Sequence, residues 1–407
     1  MSEALTSASA PEFYFNPWDE NFRANPYPHY KPLMQGAPRI IDLFEKFALV
    51  ARFADVRTML LDHERFSSVQ QQNAAFQEQI DMFQTEPSML FSDPPVHTRL
   101  RRLISRDFTP RRVRELEPRI GEIATSLLDG AARRGKLDVI ADLATPLPVM
   151  VIAQMLGVPP DLYQQFKTWS DKVIESDNVL PGMPMPDDIK QAFKELRSYF
   201  AAEIEKRRAK PGVDLVSALV AAHDQSEALS EGELLEFVVL LLLAGNETTT
   251  NLIGNGMLAL GRNPDQLAML RERPDLMPRA IEEMLRYDGP VQATFRTAAR
   301  DTEIGGTEIK KGMGAFVLLA AANRDPAEFP DPDRFDITRE TRSGHLAFGE
   351  GIHYCVGSGL ARLEASIAIG QALARFPRLR IANPGAALTY KGSFFLRGLA
   401  ALEMAIN

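Results

Sequence analysis

Residues 348–357 read FGEGIHYCVG and hold the single cysteine of the chain, Cys355. Two closely spaced glycines, Gly349 and Gly351, let the backbone turn tightly and pass close to something flat or bulky. The pattern that follows predicts a helix over 359–376, so Cys355 stands just ahead of a helix N-terminus. Unpaired N–H groups and the helix dipole stabilise a thiolate in that position. The residues alone leave three readings open: a small buried hydrophobe, a catalytic nucleophile with a histidine such as His353 as base, or the axial thiolate of a haem. Nucleotide binding is excluded. Gly349-x-Gly351 has Tyr354 where a third glycine belongs, and no strand of that fingerprint precedes it.

Upstream, the longest helical pattern runs from Glu231 to about Arg262. Ser230 and Glu233 have capping-box spacing, and Asn263-Pro264 ends the helix. About 32 residues at ~1.5 Å each span roughly 48 Å, enough to cross the molecule. The middle, Phe237 to Ala244, is apolar on all faces and predicts a buried central rod. The polar run Asn246, Glu247, Thr248, Thr249 and Thr250 is anomalous there, because a buried glutamate is costly unless paired or neutralised. Further helices are expected over 112–130, 162–174, 188–208 and 278–287, and short strands over 39–42, 48–51, 315–320 and 393–402. The fold class is therefore mainly α, with a smaller β-rich part near 39–51, 291–320 and 388–405. Residues 1–15 read as a disordered tail and 16–407 as one domain, since no low-complexity linker divides them. The Pro/Met-rich patch at 180–187 suits a loop over a pocket.

Composition narrows the function. Lys plus Arg is 46 and Asp plus Glu is 54, so no globally basic nucleic-acid footprint exists. With 45% hydrophobic and 25% charged residues, the chain is not of a disordered or low-complexity class. One cysteine excludes an internal disulfide framework and a multi-cysteine zinc site, and suits a reducing cytoplasm. Residues 1–11 lack the basic start and apolar run of a signal peptide. The longest uncharged stretch, 143–160, holds four prolines and reads as a buried segment with a break, so no membrane anchor is expected.

The cysteine stretch matches FGxGxHxCxG, the haem-binding signature of the cytochrome P-450 monooxygenases, and the chain resembles the soluble bacterial branch of that family. Other family motifs stand in order: DPPVHTRLR at 93–101, Ala244-Gly245-Asn246-Glu247-Thr248-Thr249, Glu283-x-x-Arg286, and Pro332-Asp333-Arg334-Phe335. The likeness runs from about Asn16 to the end. A lone E-x-x-R says little, since i,i+3 ion pairs are common and contribute about 0.2–0.5 kcal/mol. Five motifs in the right order are specific.

The resemblance implies a role for each matched residue. Cys355 is the proximal thiolate, flanked by Phe348 and Gly357, that pushes electron density onto the iron. Without C-x-x-C-H the haem is the non-covalent b type. His97, Arg101, Arg296 and His353 hold its propionates, while Glu283, Arg286 and Arg334 form a buried ion network behind the cysteine loop. On the distal side Leu241, Ala244, Gly245 and Thr248 share one helix face, with Gly245 leaving room for haem and oxygen. Thr248 can hydrogen-bond back to the Ala244 carbonyl and locally open the helix. Glu247 is then the acid of a proton relay and Thr248 its hydroxyl. The substrate pocket is expected at Phe76, Met82, Phe83, Met89, Leu90, Leu241, Val291, Ala293, Thr294, Phe394 and Phe395.

Neither 66–91 nor 180–189 contains Lys or Arg, so no carboxylate clamp is expected, and Met and Phe make an adaptable apolar wall. A neutral, medium-sized hydrophobic substrate follows, terpenoid or steroid-like ahead of a fatty acid. The implied activity inserts one atom of O2 into that substrate, with electrons from a ferredoxin and its reductase, in a cytoplasmic monomer. The alternatives are a peroxide-driven peroxygenase, a haem-binding sensor without turnover and a cysteine hydrolase; Glu247 and Thr248 favour the monooxygenase. Seven arginines crowd 99–114 with only Asp107 between them. Arg102, Arg106 and Arg112 are expected to face an acidic ferredoxin.

Overall fold

Glu231–Arg262 forms one unbroken helix of 32 residues, with the bounds its end signals predict. Ser230 Oγ accepts the Glu233 N–H at 3.0 Å, and the Glu233 carboxylate accepts the Ser230 N–H at 2.8 Å. Two otherwise unpaired groups at the helix start are thereby satisfied. This computed structural model describes residues 15–42, 46–69, 82, 86–179, 183–226, 229–391 and 394–407. Among them Glu231–Arg262 is the one helix long and apolar enough to cross a membrane, but 72% of its most apolar stretch is buried inside the molecule. It is a core helix. Pro146–Met155, Asp187–Ala209, Met277–Asp288 and Ser358–Arg375 pack around it.

The 143–160 stretch is buried with a break, as expected. A π-type turn, Ile140–Ala144, is followed by the helix Pro146–Met155, which Pro146 opens because that position needs no N–H donor. The single helix expected over 112–130 is two, Pro110–Glu115 and Glu117–Arg134. Pro118 cannot donate the next helical hydrogen bond, so it starts a new helix instead.

The β-rich part consists of β1 (Arg39–Asp42), β2 (Lys46–Val50), β3 (Phe66–Ser67), β4 (Leu137–Asp138), β5 (Thr294–Ala298), β6 (Thr302–Ile304), β7 (Thr307–Ile309), β8 (Gly314–Val317), β9 (Arg380–Ile381) and β10 (Glu403–Ala405). The five-stranded sheet runs β1-β2-β8-β5-β3, with β2 and β8 parallel and the other pairs antiparallel. Gly314 is required in β8, because a Cβ there would stand 2.3 Å from the Phe295 ring. The register Arg296↔Ala315 fixes which face of β5 carries Arg296.

Three expectations need correction. The strand at 315–320 stops at Val317, and Leu319–Ala322 is a short helix. Among the described residues of that stretch, 394–402, only isolated bridges form, at Leu396 and Leu399, and the last strand is β10, paired with β4 and β9. Phe15, placed in the tail from sequence, is buried and meets Phe22 at 5.2 Å and Phe394 at 5.9 Å.

Candidate functional site

The cysteine loop is a tight structure. Gly349 and Gly351 adopt φ of 70° and 72°, and a Cβ on Gly351 would stand 2.7 Å from the Leu60 carbonyl oxygen. Residues 351–353 make one narrow turn, and the Cys355 N–H closes the loop onto the Phe348 carbonyl at 2.9 Å. The helix Ser358–Arg375 follows at once, and the N–H groups of Gly357 and Ser358 donate to the cysteine sulfur. Burial pushes the Cys355 thiol up, while those N–H groups, Arg101 and Arg362 pull it down. Arg362 is a brace that the sequence reading missed. Its guanidinium lies 4.4 Å over Phe348, donates to Glu282 at 2.6 and 2.9 Å, and reaches Tyr354 Oη at 3.3 Å.

Behind the loop, Arg286 donates twice to Glu283, at 2.7 and 2.8 Å, and to the carbonyls of Asn323, Pro332 and Arg334. Arg334 itself needs correction. Its side chain is 61% exposed and faces Asp336 at 3.7 Å, so it joins the network only through its carbonyl. The second guanidinium at Glu283 belongs to Arg339, at 3.2 Å. Asn323 carries the network onward, its side chain accepting the Leu346 N–H at 2.7 Å two residues before Phe348.

Four basic residues from three separate segments converge beside the loop. The His97 and His353 rings lie 4.2 Å apart, and His353 Nε2 is 3.0 Å from Ser68 Oγ. His97 is buried, and both its ring nitrogens lack a hydrogen-bond partner. Arg296 is buried and donates to the Phe295 carbonyl at 2.7 Å and Thr294 Oγ1 at 3.3 Å. Among the described residues no carboxylate stands within ion-pair reach of His97, Arg101, Arg296 or His353. Asp93, whose charge reaches Arg296, is itself taken up by the Ser67 hydroxyl and the Ser68 N–H. Burial accordingly pushes Arg296 down to about 10. Burial together with Arg296, His97 and Arg101 pushes His353 down to about 3. Two arginines and two imidazole donors, with no acid of their own in reach, are built for an anionic ligand.

Across the site, Thr248 Oγ1 donates to the Ala244 carbonyl at 2.8 Å, as expected, and the helix runs unbroken through that bond. Ala244 is exposed in the middle of an otherwise buried helix, with Gly245 and Thr248 half-buried beside it and Leu241 buried on the same face. A Cβ on Gly245 would meet only Ile152, at 3.8 Å, so no protein neighbour demands glycine there. The face is a cradle that protein atoms leave uncovered. With the cysteine sulfur, the acid-free cations and the unpartnered His97, these residues fit a haem with an axial thiolate and two propionates.

Glu247 points elsewhere. It is buried, its Oε1 lies 2.7 Å from Lys391 Nζ, and both border a cavity of about 690 Å³ behind the central helix. Nothing local marked Lys391 as its partner. Among the expected pocket residues, Met82 and Met89 pack half-buried on the apolar cluster that contains Leu241, and Val291 and Thr294 are half-buried. Leu90 is exposed. Ala293 and Phe394 need correction: they are buried in an aromatic core with Phe15, Phe22 and Phe316, and Phe394 meets Phe316 at 5.2 Å. Phe395 is half-buried at the edge of that core. Phe76 and Phe83 lie outside the described residues.

The arginine cluster divides. Arg99 binds Glu233 and leaves it, and Arg101 turns to the cysteine. Arg111 and Arg112 share Glu115, each at 3.2 Å, and Arg112 stays exposed beside it. Arg102, Arg106 and Arg114 are exposed, with no carboxylate in ion-pair reach among the described residues.

Comparison with known proteins agrees with this site. Residues 36–381 match the family model described as Cytochrome P-450. Cytochrome P-450 107B1 of Saccharopolyspora erythraea is 46% identical over 365 residues, 88% of each chain. The vitamin D(3) 25-hydroxylase of Pseudonocardia autotrophica is 41% identical over 396 residues, 95% of each chain. The solved structure of PksS, the cytochrome P-450 of the Bacillus subtilis bacillaene polyketide synthase, is similar with a TM-score of 0.88 at 34% identity, covering 97% of this chain and 100% of that one.

Proposed function

The chain belongs to the cytochrome P-450 family, and from that premise we propose how its own residues run a bacterial monooxygenase on a neutral hydrophobic substrate of steroid size. The enzyme is a haem b protein with an axial cysteine thiolate, and Cys355 supplies that thiolate. The bound group supplies the redox chemistry, its thiolate favouring O–O cleavage. His97, Arg101, Arg296 and His353 hold the propionates. Ala244 and Gly245 lie against the haem, Glu247 carries protons, and Thr248 hands them on. Met82, Met89, Leu241, Val291 and Phe395 touch the substrate.

One observation carries the choice of monooxygenase over peroxygenase. Thr248 presents its hydroxyl on the bare face, tied to the Ala244 carbonyl, with a buried acid adjacent in sequence. A peroxide-driven enzyme has no need of such a relay. Thr248→Ala should keep haem and substrate binding while product per electron falls about tenfold, the excess oxygen appearing as peroxide or water. Unchanged coupling would remove Thr248 from the relay. The substrate class rests on the absence of a cation along 66–91 and on relatives named for vitamin D(3) and for a polyketide synthase. A screen of steroid, terpenoid, macrolide and fatty-acid probes, read as displacement of the iron's water, decides it.

Electrons come from an acidic ferredoxin on this reading, and exposed Arg102 and Arg106, near the cysteine side, steer its approach. The pair Arg102→Glu and Arg106→Glu should slow ferredoxin-supported reduction about tenfold at low ionic strength, with dithionite reduction unchanged. High salt should bring variant and wild type together, because screening removes the steering they differ in. Equal rates at low salt would place the partner elsewhere.

A further inference from the structure

Asn255 is the only polar side chain between Leu252 and Leu260 of the central helix, and it is 2% exposed. Its Nδ2 donates to two backbone carbonyls, those of Asp288 and Arg397, each at 3.0 Å. A carbonyl can only accept, so the NH2 side of the amide must face this pair. The Oδ1 on the other side is buried and meets no donor. A buried oxygen without a partner is costly, so packing alone would favour an apolar residue here. The two carbonyls are what the amide serves.

They belong to two segments that the reading above puts against the substrate. Val291 lies three residues after Asp288, and Phe395 two residues before Arg397. The segments are already joined to each other. The Arg397 N–H donates to the Pro290 carbonyl at 2.7 Å and the Gln292 N–H to the Phe395 carbonyl at 2.8 Å, bracketing the Val291–Leu396 pair. Arg397 Nε donates to Asp288 Oδ1 at 2.8 Å, and the buried Gln292 amide stiffens the turn by donating to the Gly289 carbonyl at 2.9 Å. Lys391 on Glu247 is a second tie to the central helix, but it holds only the later segment. Asn255 holds both.

Its place on the helix gives the tie a consequence. Leu241, Thr248 and Asn255 are spaced by sevens, and a helix drifts only about 20° over seven residues, so the three share one stripe. Asn255 stands roughly 10 Å along the axis from Thr248. Resting on the assignment of Val291 and Phe395 to the substrate pocket, we infer that Asn255 is a positioning residue for specificity. Its amide sets the distance between the joined segments and the Leu241–Thr248 face, and so the width of pocket that a large hydrophobic substrate must fit. A ligand too small to reach the segments does not sense it.

Two azole probes test this on the holoenzyme by affinity, with no turnover. Imidazole and clotrimazole both bind haem iron through a ring nitrogen, and only the larger extends far enough to press on the joined segments. Asn255→Leu keeps the side-chain shape and removes both donors. Its affinity for clotrimazole should fall about tenfold while that for imidazole stays, read from the Soret shift of each complex. Asn255→Ser, small enough to fit without repacking and left with one hydroxyl donor, should move the ratio of the two affinities less. Thr250→Val is the control for losing a buried hydrogen bond from the same helix, because Thr250 Oγ1 donates at 3.0 Å to the Ala144 carbonyl, which is in neither segment. It should lower the denaturant midpoint and leave the ratio as in wild type. If the ratio is equally unmoved in the Asn255 variants that fold, the amide is structural only and this inference is overturned. Val291→Ala combined with Phe395→Ala checks the reading beneath it. A ratio that moves there but not in the Asn255 variants leaves the pocket assignment standing and sinks the inference alone. A ratio that does not move there places the pocket elsewhere, and both fall.

Discussion

Cys355→His should abolish the strongly red-shifted Soret band of the dithionite-reduced carbonyl complex and, with it, monooxygenase turnover. Only a thiolate gives that band, and the chain has one cysteine to provide it. The surroundings are built for sulfur. Two N–H groups, from Gly357 and Ser358, donate to it, and Arg101 and Arg362 favour its charged form. Those donors repay a thiolate and have nothing to offer a neutral imidazole, which must instead bring an acceptor lone pair to the iron. Haem retention is expected to survive the change in part, because the proposed propionate partners His97, Arg101, Arg296 and His353 are left in place. A variant that keeps the normal carbonyl spectrum would mean that Cys355 is not the ligand.

What was legible in the sequence follows from the range of the interactions. The central helix was readable to the residue because its signals are local: Ser230 and Glu233 lie three apart, and Asn263-Pro264 stops the run. Val96–Ile104 carries His97 and Arg101, which the sequence places one helical turn apart, but its bounds went unread, since nine residues starting after two prolines give little periodicity. β5 was legible only as part of the β-rich stretch 291–320, because TFRTA lies among short strands whose pairing with β8 depends on residues some twenty positions away. The site behaved in the same way. Cys355, Glu247 and Thr248 sit in motifs, so resemblance located them. Lys391 meets Glu247 across 144 residues, and Ser68 meets His353 across 285, so no pattern within either segment could announce the pair. Arg334 shows the opposite error. A motif put the right segment in place, but the side chain that reaches Glu283 is Arg339, five residues on.

That distinction makes the second large effect a sharp one. Arg286→Met should destabilise the protein by about 3–5 kcal/mol, the usual consequence of removing one partner from a buried ion pair. The side chains of Arg286 and Glu283 are 1% and 3% exposed, so little solvent can replace what is lost. The substitution leaves Glu283 with Arg339 and the Asp336 N–H, and deprives the carbonyls of Asn323, Pro332 and Arg334 of their Arg286 donor. A loss of that size is a large share of the roughly 5–15 kcal/mol that holds a domain together. The damage should reach the haem, because Asn323 also fixes the Leu346 N–H at the entry to the cysteine loop. Purified Arg286→Met should therefore show a lowered ratio of Soret to protein absorbance and an earlier denaturant midpoint. Arg334→Ala is the control. Its guanidinium is 61% exposed, and the carbonyl that Arg286 uses belongs to the backbone, so the change should cost less than about 0.5 kcal/mol and leave haem content intact. If the two variants lose haem equally, the network reaches the cysteine loop through the Arg334 side chain, and assigning that role to Arg286 and Arg339 is wrong.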